Sequence, residues 1–263
     1  MQENYLGTII DFSSPVGEAA LLAPDSVQWR VYKNPIALGI GGIAAVLLEF
    51  AEPRIRSGVW DHSTYKADPI GRSRRTGLVA MLACYGPASV AREVIGKVNR
   101  MHGAVKGQTP AGEAYRALDP VLLDWVAATA AYGFLTAYDR FVRPVSDADK
   151  DRFMADGAVI GRAFGALHTP PTIPDFMDMM ARLEARFEPP PHIRARLELG
   201  RSYDLTRFDR LALKVAGRLA DRHVDRSAPV CQASERLGLP YDFAFRPAGE
   251  QRALLAKRTL AAV

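Results

Sequence analysis

"NPIALGIGGIAAVLL", residues 34–48, decides the fold class, because it supports two opposed readings. Gly39 to Ala44, "GIGGIA", matches the dinucleotide fingerprint G-x-G-x-x-A, which has meaning only between a strand and a helix in a βαβ unit. Asn34-Pro35 argues otherwise: a side chain that accepts from an orphan N–H, followed by a residue whose fixed φ suits the first helical turn, opens a helix ahead of the glycines. The expected structure is therefore one apolar helix whose small residues allow close packing. At about 14 residues, Pro35 to Leu48 also falls short of the ~20 that a bilayer crossing needs.

The same start signal recurs outward from there, at Asp68-Pro69 and Asp119-Pro120, with Ser14-Pro15 resembling it. Helical patterns run between these starts. Val90, Val94, Val98, Met101 and Val105 mark one stripe, while Leu122, Val126, Thr129 and Gly133 carry another after Asp119. "SDAD", residues 146–149, reads as a capping box for a helix through about Gly165. "HTPPTIP" then gives a Pro-rich loop over residues 168–175, followed by a helix around Phe176–Phe187. The tail, including "LTRFDRLALKVAGRLADRHV", is amphipathic again. No alternating strand of useful length and no internal repeat appears. These patterns predict an all-α protein, with residues 1–263 as a single helical domain and 176–263 as its C-terminal helical extension.

Composition narrows the function classes. The 34 Lys+Arg against 29 Asp+Glu leave a net charge of +5, too small and too scattered for a nucleic-acid groove, and no nucleic-acid partner is expected. Cys84 and Cys231 form no CxxC pair, so neither a zinc site nor a disulfide framework is indicated and a reducing compartment fits. The opening "MQENYLGTIIDFSSP" shows no basic region before an apolar core, which leads to the expectation of a cytoplasmic protein without a secretory signal. A G-x-S-x-G elbow, a Walker loop and an HExxH motif are all missing, which removes the standard hydrolase, kinase and zinc-protease readings.

One histidine stands out. In "NRMHGAVKG", residues 99–107, Val94, Val98 and His102 follow an i, i+4, i+8 spacing, so the imidazole projects from an apolar side of its helix and Gly103 leaves room beside it. A buried imidazole needs a partner, either a core carbonyl or carboxylate, or the iron of a haem, which asks for one histidine on an apolar helix rather than a cluster. Arg100 and Lys106 could then meet haem propionates. A second stretch, "WDHSTYKADPIGRSRRTG", residues 60–77, sets Arg72, Arg75 and Thr76 near one face of the helix that Asp68-Pro69 opens; a solvated basic face is the alternative.

In order and spacing, "DHSTYKADPIGRSRRT", "NRMHGAVKG", "YRALDPVLLDWVAAT" and the "SDAD" start resemble the mpaB/rubber-oxygenase family, which includes the latex clearing proteins. The resemblance covers a core over residues 27–167. It implies a globin-like helical core holding haem b, with His102 as the proximal iron ligand, the other ring nitrogen being held by a carbonyl, carboxylate or water. It also implies a distal set at Arg72, Arg75 and Thr76, with arginine at 75 where latex clearing proteins have lysine. Because guanidinium stays protonated, position 75 offers iron no lone pair. Asn99 stands where the relatives have an arginine, Lys106 keeps a positive charge, and Ala127 replaces a histidine; Asn99, Arg100 and Lys106 are the candidate cofactor-binding residues. Glu49, Asp61 and His62 are the candidates for a distal base. The implied function is O₂-dependent oxidation or C=C cleavage of an apolar, isoprenoid-like substrate. A non-catalytic haem or gas-binding protein, and a haem-free helical interaction protein, are the alternatives.

Overall fold

The computed structural model describes residues 3–187, which fall almost wholly in the first of the two units of the chain, Met1–Ala185. The amphipathic tail at 205–224 and the rest of the proposed extension beyond Phe187 lie outside the described residues.

Helix formation follows the cap signals. Asn34 Oδ1 accepts from Ala37 N at 2.9 Å and opens α2 (Pro35–Ala51), so "GIGGIA" is helical and the dinucleotide reading falls. Asp68 Oδ1 accepts from Gly71 N at 2.8 Å at the head of α4 (Pro69–Tyr85), and Asp119 Oδ1 accepts from Val121 N at 2.9 Å at the head of α6 (Pro120–Phe141). Ser146 caps α7 (Asp147–Phe164), which Gly165 closes at φ 101°, a left-handed turn that glycine adopts without penalty. Four more helices are described: α1 (Val27–Tyr32), α3 (Pro53–His62), α5 (Ala88–Gly103) and α8 (Ile173–Glu184).

Four expectations need correction. Ser14-Pro15 opens no helix: Asp11 Oδ1 takes the Ser13 N–H and hydroxyl, and this local side-chain closure holds a turn instead. Two short antiparallel hairpins are present, β1 (Glu3–Tyr5) with β2 (Thr8–Ile10) and β3 (Lys106–Gln108) with β4 (Ala114–Arg116), each too short to show an alternating pattern. The buried face of α5 is Ala91, Val94, Ile95 and Val98, leaving Met101 exposed and Val105 past the helix end. The Pro-rich loop stops at Thr172, because Thr172 Oγ1 accepts from Asp175 N and starts α8 earlier than the apolar spacing indicates.

The most extensive helix pairing is α2 with α6. Gly41 and Gly133 face each other there, and a Cβ on Gly41 would lie 2.6 Å from the Gly133 carbonyl oxygen. Trp125, 1% exposed, donates its indole N–H to the Leu48 carbonyl at 3.3 Å and stacks on Phe176, which brings α8 onto α6. By length and composition α6 is the one helix among the described residues that could cross a membrane, yet half of that apolar stretch is buried in this packing.

The second turn of α6 also carries a buried carboxylate. Asp124 Oδ1 accepts from Leu167 N at 2.6 Å and His168 N at 2.9 Å, which fixes the chain where it leaves α7. Asp124→Ala strands both donors, and the expected cost is about 2–4 kcal/mol, read as a fall in melting temperature of roughly 5–15 °C. Asp124→Asn keeps an acceptor and is expected to lose less than half of that in the same thermal scan.

Candidate functional site

A helical hairpin builds the site. The α4 and α5 helices are joined only by Gly86 and Pro87, so the first turns of α4 and the last turn of α5 come to the same end. Their packed faces share a core of Val79, Leu82, Ala91 and Val94 with Ile10 from β2. Arg72 and His102 are thereby neighbours, although 30 positions of chain separate their numbers. The end of α3 and the β3–β4 hairpin pack together at the side.

His102 is partly buried, and its Nδ1 is buried with no hydrogen-bond partner. No carbonyl or carboxylate holds this ring nitrogen, which differs from the expected tautomer-fixing contact. Burial lowers the imidazole pKa, and the positive charge of Arg72 lowers it further. Both causes favour the neutral ring, the form that has a lone pair to offer. Asn99, one turn earlier, donates Nδ2 to the Ala163 carbonyl at 3.0 Å at the end of α7, and its Oδ1 is likewise buried without a partner.

The residues expected on the distal side separate. The Arg72 guanidinium lies over the Tyr65 ring, 5.7 Å from its centroid, and Tyr65 is 2% exposed among Phe50 and Trp60. Arg75 is exposed and turns back to the loop before its helix, donating to Thr64 Oγ1 at 2.7 Å and to Asp68 at 3.3 Å. Thr76, also exposed, spends its hydroxyl on the Arg72 carbonyl at 3.0 Å. Helical spacing places 72, 75 and 76 on adjoining faces, but the loop contacts decide where the side chains go.

His62 ends α3 and is exposed, with Nε2 3.2 Å from the Tyr115 hydroxyl. Tyr115, which the sequence did not single out as a site residue, is 5% exposed and lies across Gly107, its cross-strand partner. A Cβ at Gly107 would stand 2.6 Å from the Tyr115 hydroxyl, so glycine there is what lets the ring reach His62. Burial raises the Tyr115 pKa and the Asp61 carboxylate raises it further, so the phenol keeps its proton at neutral pH. Asp61 itself lies 3.7 Å from Lys66 Nζ on the surface. Glu49 is half-buried on α2, while Arg100 and Lys106 are exposed.

Two cavities lie elsewhere. One of about 460 Å³ is lined by Arg30, Lys33, Tyr138, Asp149 and Arg152, and the other, of about 410 Å³, by the Pro-rich loop and one face of α8. Among the described residues no group of three or more His, Cys, Asp or Glu could hold a metal ion.

Comparison with known proteins matches residues 29–263 to the family described as ER-bound oxygenase mpaB/B'/Rubber oxygenase, catalytic domain. Two uncharacterised proteins, one from Mycobacterium bovis and one from Mycobacterium tuberculosis, are each 29% identical to this chain over 123 residues, which is 45% of this chain and 48% of the relative. The chain thus spans about half the length of the curated relatives it matches. No solved structure matches it.

Proposed function

This chain belongs to the mpaB/rubber-oxygenase family, and from that premise we propose that it is a haem b-dependent oxygenase acting on an apolar, isoprenoid-like substrate with O₂. The observation that carries the reading is the His102 ring: a neutral imidazole on the apolar side of α5, with a buried nitrogen that no described residue uses. Leaving such a nitrogen unpaired costs free energy in a haem-free structural role and costs none if a ligand arrives there. Bound haem would supply the activation of O₂.

The chain's own groups divide the remaining tasks. His102 would hold the iron. Arg72, fixed over Tyr65 and close enough for its charge to act on His102, would offer a cationic donor beside the imidazole. His62 and Tyr115 form a linked pair in which a proton can pass between the phenol oxygen and Nε2, making them the candidates for acid–base work beside the site. Arg100 and Lys106, both solvent-facing, suit the hydrated carboxylates of the ring, and Asn99 steadies the last turn of α5 against α7. Arg75 and Thr76 enter this proposal only by turning inward from the contacts they make now. A globin-like arrangement of the helices belongs to the same proposal and rests on the family alone.

Titrating hemin into the purified full chain tests the reading. A saturable Soret band at one equivalent is the expected result, followed by O₂ uptake that depends on an added alkene. A Soret band without alkene-dependent O₂ uptake would reassign the chain as a haem or gas-binding protein. No saturable band would remove haem altogether and return the haem-free interaction protein as the better reading.

A further inference from the structure

We infer that the β3–β4 end of the molecule docks onto an anionic phospholipid surface. The inference starts from strand register. Lys106 pairs directly with Arg116 across the hairpin, and both side chains are exposed on its outer face, because Gly107 and Tyr115 between them turn to the other side. Like charges directly opposite in an antiparallel pair repel and destabilise it. Neither residue makes an ion pair with any described residue, and nor does the exposed Arg100 in the last turn of α5.

Large apolar side chains stand exposed at the same end. Met101 is 46% exposed, Leu118 41% and Val121 52%. The chain path brings Leu118 back to the end of α5, two residues from Met101: Ala117 N donates to the Val105 carbonyl at 3.0 Å, and a Cβ at Gly103 would touch Leu118 at 3.8 Å, while Val121 follows in the first turn of α6. Three cations without counter-ions among the described residues therefore share this end with three exposed apolar side chains. A bilayer interface with acidic headgroups satisfies both halves, since phosphates sit between the cations while the apolar tips enter the acyl boundary. An acidic protein would neutralise the charges but leave Met101, Leu118 and Val121 no better covered. This inference goes beyond the oxygenase reading and does not depend on it; because that reading assigns Arg100 and Lys106 to the haem carboxylates, Arg116 is the cation that distinguishes the two and the test is run without haem.

The test uses the full chain without haem, sedimented with vesicles of phosphatidylcholine with and without phosphatidylglycerol, at low and at high salt. Binding to the phosphatidylglycerol vesicles alone, lost at high salt, is expected. Arg116→Glu exchanges attraction for repulsion at the membrane and is expected to weaken binding about tenfold to thirtyfold. Its fold is safe, because glutamate opposite Lys106 turns a repulsive cross-strand pair into an attractive one. Leu118→Ser is expected to weaken binding severalfold without changing its salt dependence, and Arg182→Glu, a cation on α8, to leave it unchanged. Equal binding of Arg116→Glu and the parent chain, binding that ignores phosphatidylglycerol, or capture by poly-glutamate but not by vesicles would each overturn the inference.

Discussion

His102→Ala is expected to abolish saturable haem binding while leaving the helical content unchanged. The loss should exceed the roughly 10–100-fold that removal of a partner outside a coordination sphere costs, because here the proposed ligand itself is gone. Stability of the haem-free protein should move little, within about 1 kcal/mol. The packing lost with a half-exposed ring is offset by removal of a buried, unpartnered Nδ1, and Ala91, Val94, Ile95 and Val98 still hold the face of α5. The separation between the two proteins should appear on adding hemin: the parent chain gains melting temperature by mass action, and the alanine variant gains none. External imidazole should restore part of the Soret band if the vacated space admits it. A full band and a full thermal shift in His102→Ala would sink the assignment and pass it to His62.

Arg72→Leu and Arg75→Leu, compared in the same spectra, separate the side chain whose charge acts on His102 from one held by the loop before α4. The structural reason is local. Arg75 is held by Thr64 and Asp68, the residues that shape the entrance to α4, so its loss should lower stability slightly and leave the Soret band alone. Arg72 already acts on His102 through its charge, so its loss should shift the band and ease protonation of the ring.

What could be read in the sequence was what is local. Asn34, Asp68, Asp119 and Ser146 cap their helices from within three residues, so each signal and its target sit in one short window. His102 was legible because Val94 and Val98 mark the buried side of the same helix. Ser14-Pro15 misled because Asp11, three residues back, competes for the same stretch of backbone. Contacts at long range left no such trace: Asp124 finds its donors 43 and 44 positions away, and His62 meets Tyr115 across 53. The contacts that Arg75 and Thr76 make were hidden for a further reason. Spacing fixes where Cα atoms lie on a helix, whereas Arg75 and Thr76 are aimed by partners in a loop and on the backbone.

Gly39→Ala and Gly41→Ala should move stability in opposite directions, although they are two residues apart in one motif. At Gly39 a Cβ meets nothing within 4 Å. Alanine there removes the backbone-entropy penalty of glycine inside a helix and is expected to stabilise by up to about 1 kcal/mol. At Gly41 a Cβ would sit 2.6 Å from the Gly133 carbonyl oxygen and 2.7 Å from Phe134 Cα, and backbone atoms in the middle of α6 cannot yield as a flexible side chain can. Separating α2 from α6 to admit the methyl group loosens the largest helix contact of the fold, and a loss at or above the upper end of the usual 1–3 kcal/mol for overpacking is expected. Gly133→Ala should behave alike, since its Cβ would stand 2.5 Å from the Gly41 carbonyl oxygen. Once either methyl has forced the helices apart, the second should cost much less, so a double-mutant cycle is expected to show strong coupling of the two sites. A dinucleotide loop makes the reverse demand, with Gly39 intolerant and the pair Gly41 and Gly133 independent. Thermal scans of the three single variants and the double variant therefore decide between packing and phosphate binding, and a stabilised Gly41→Ala would refute the helix crossing described above.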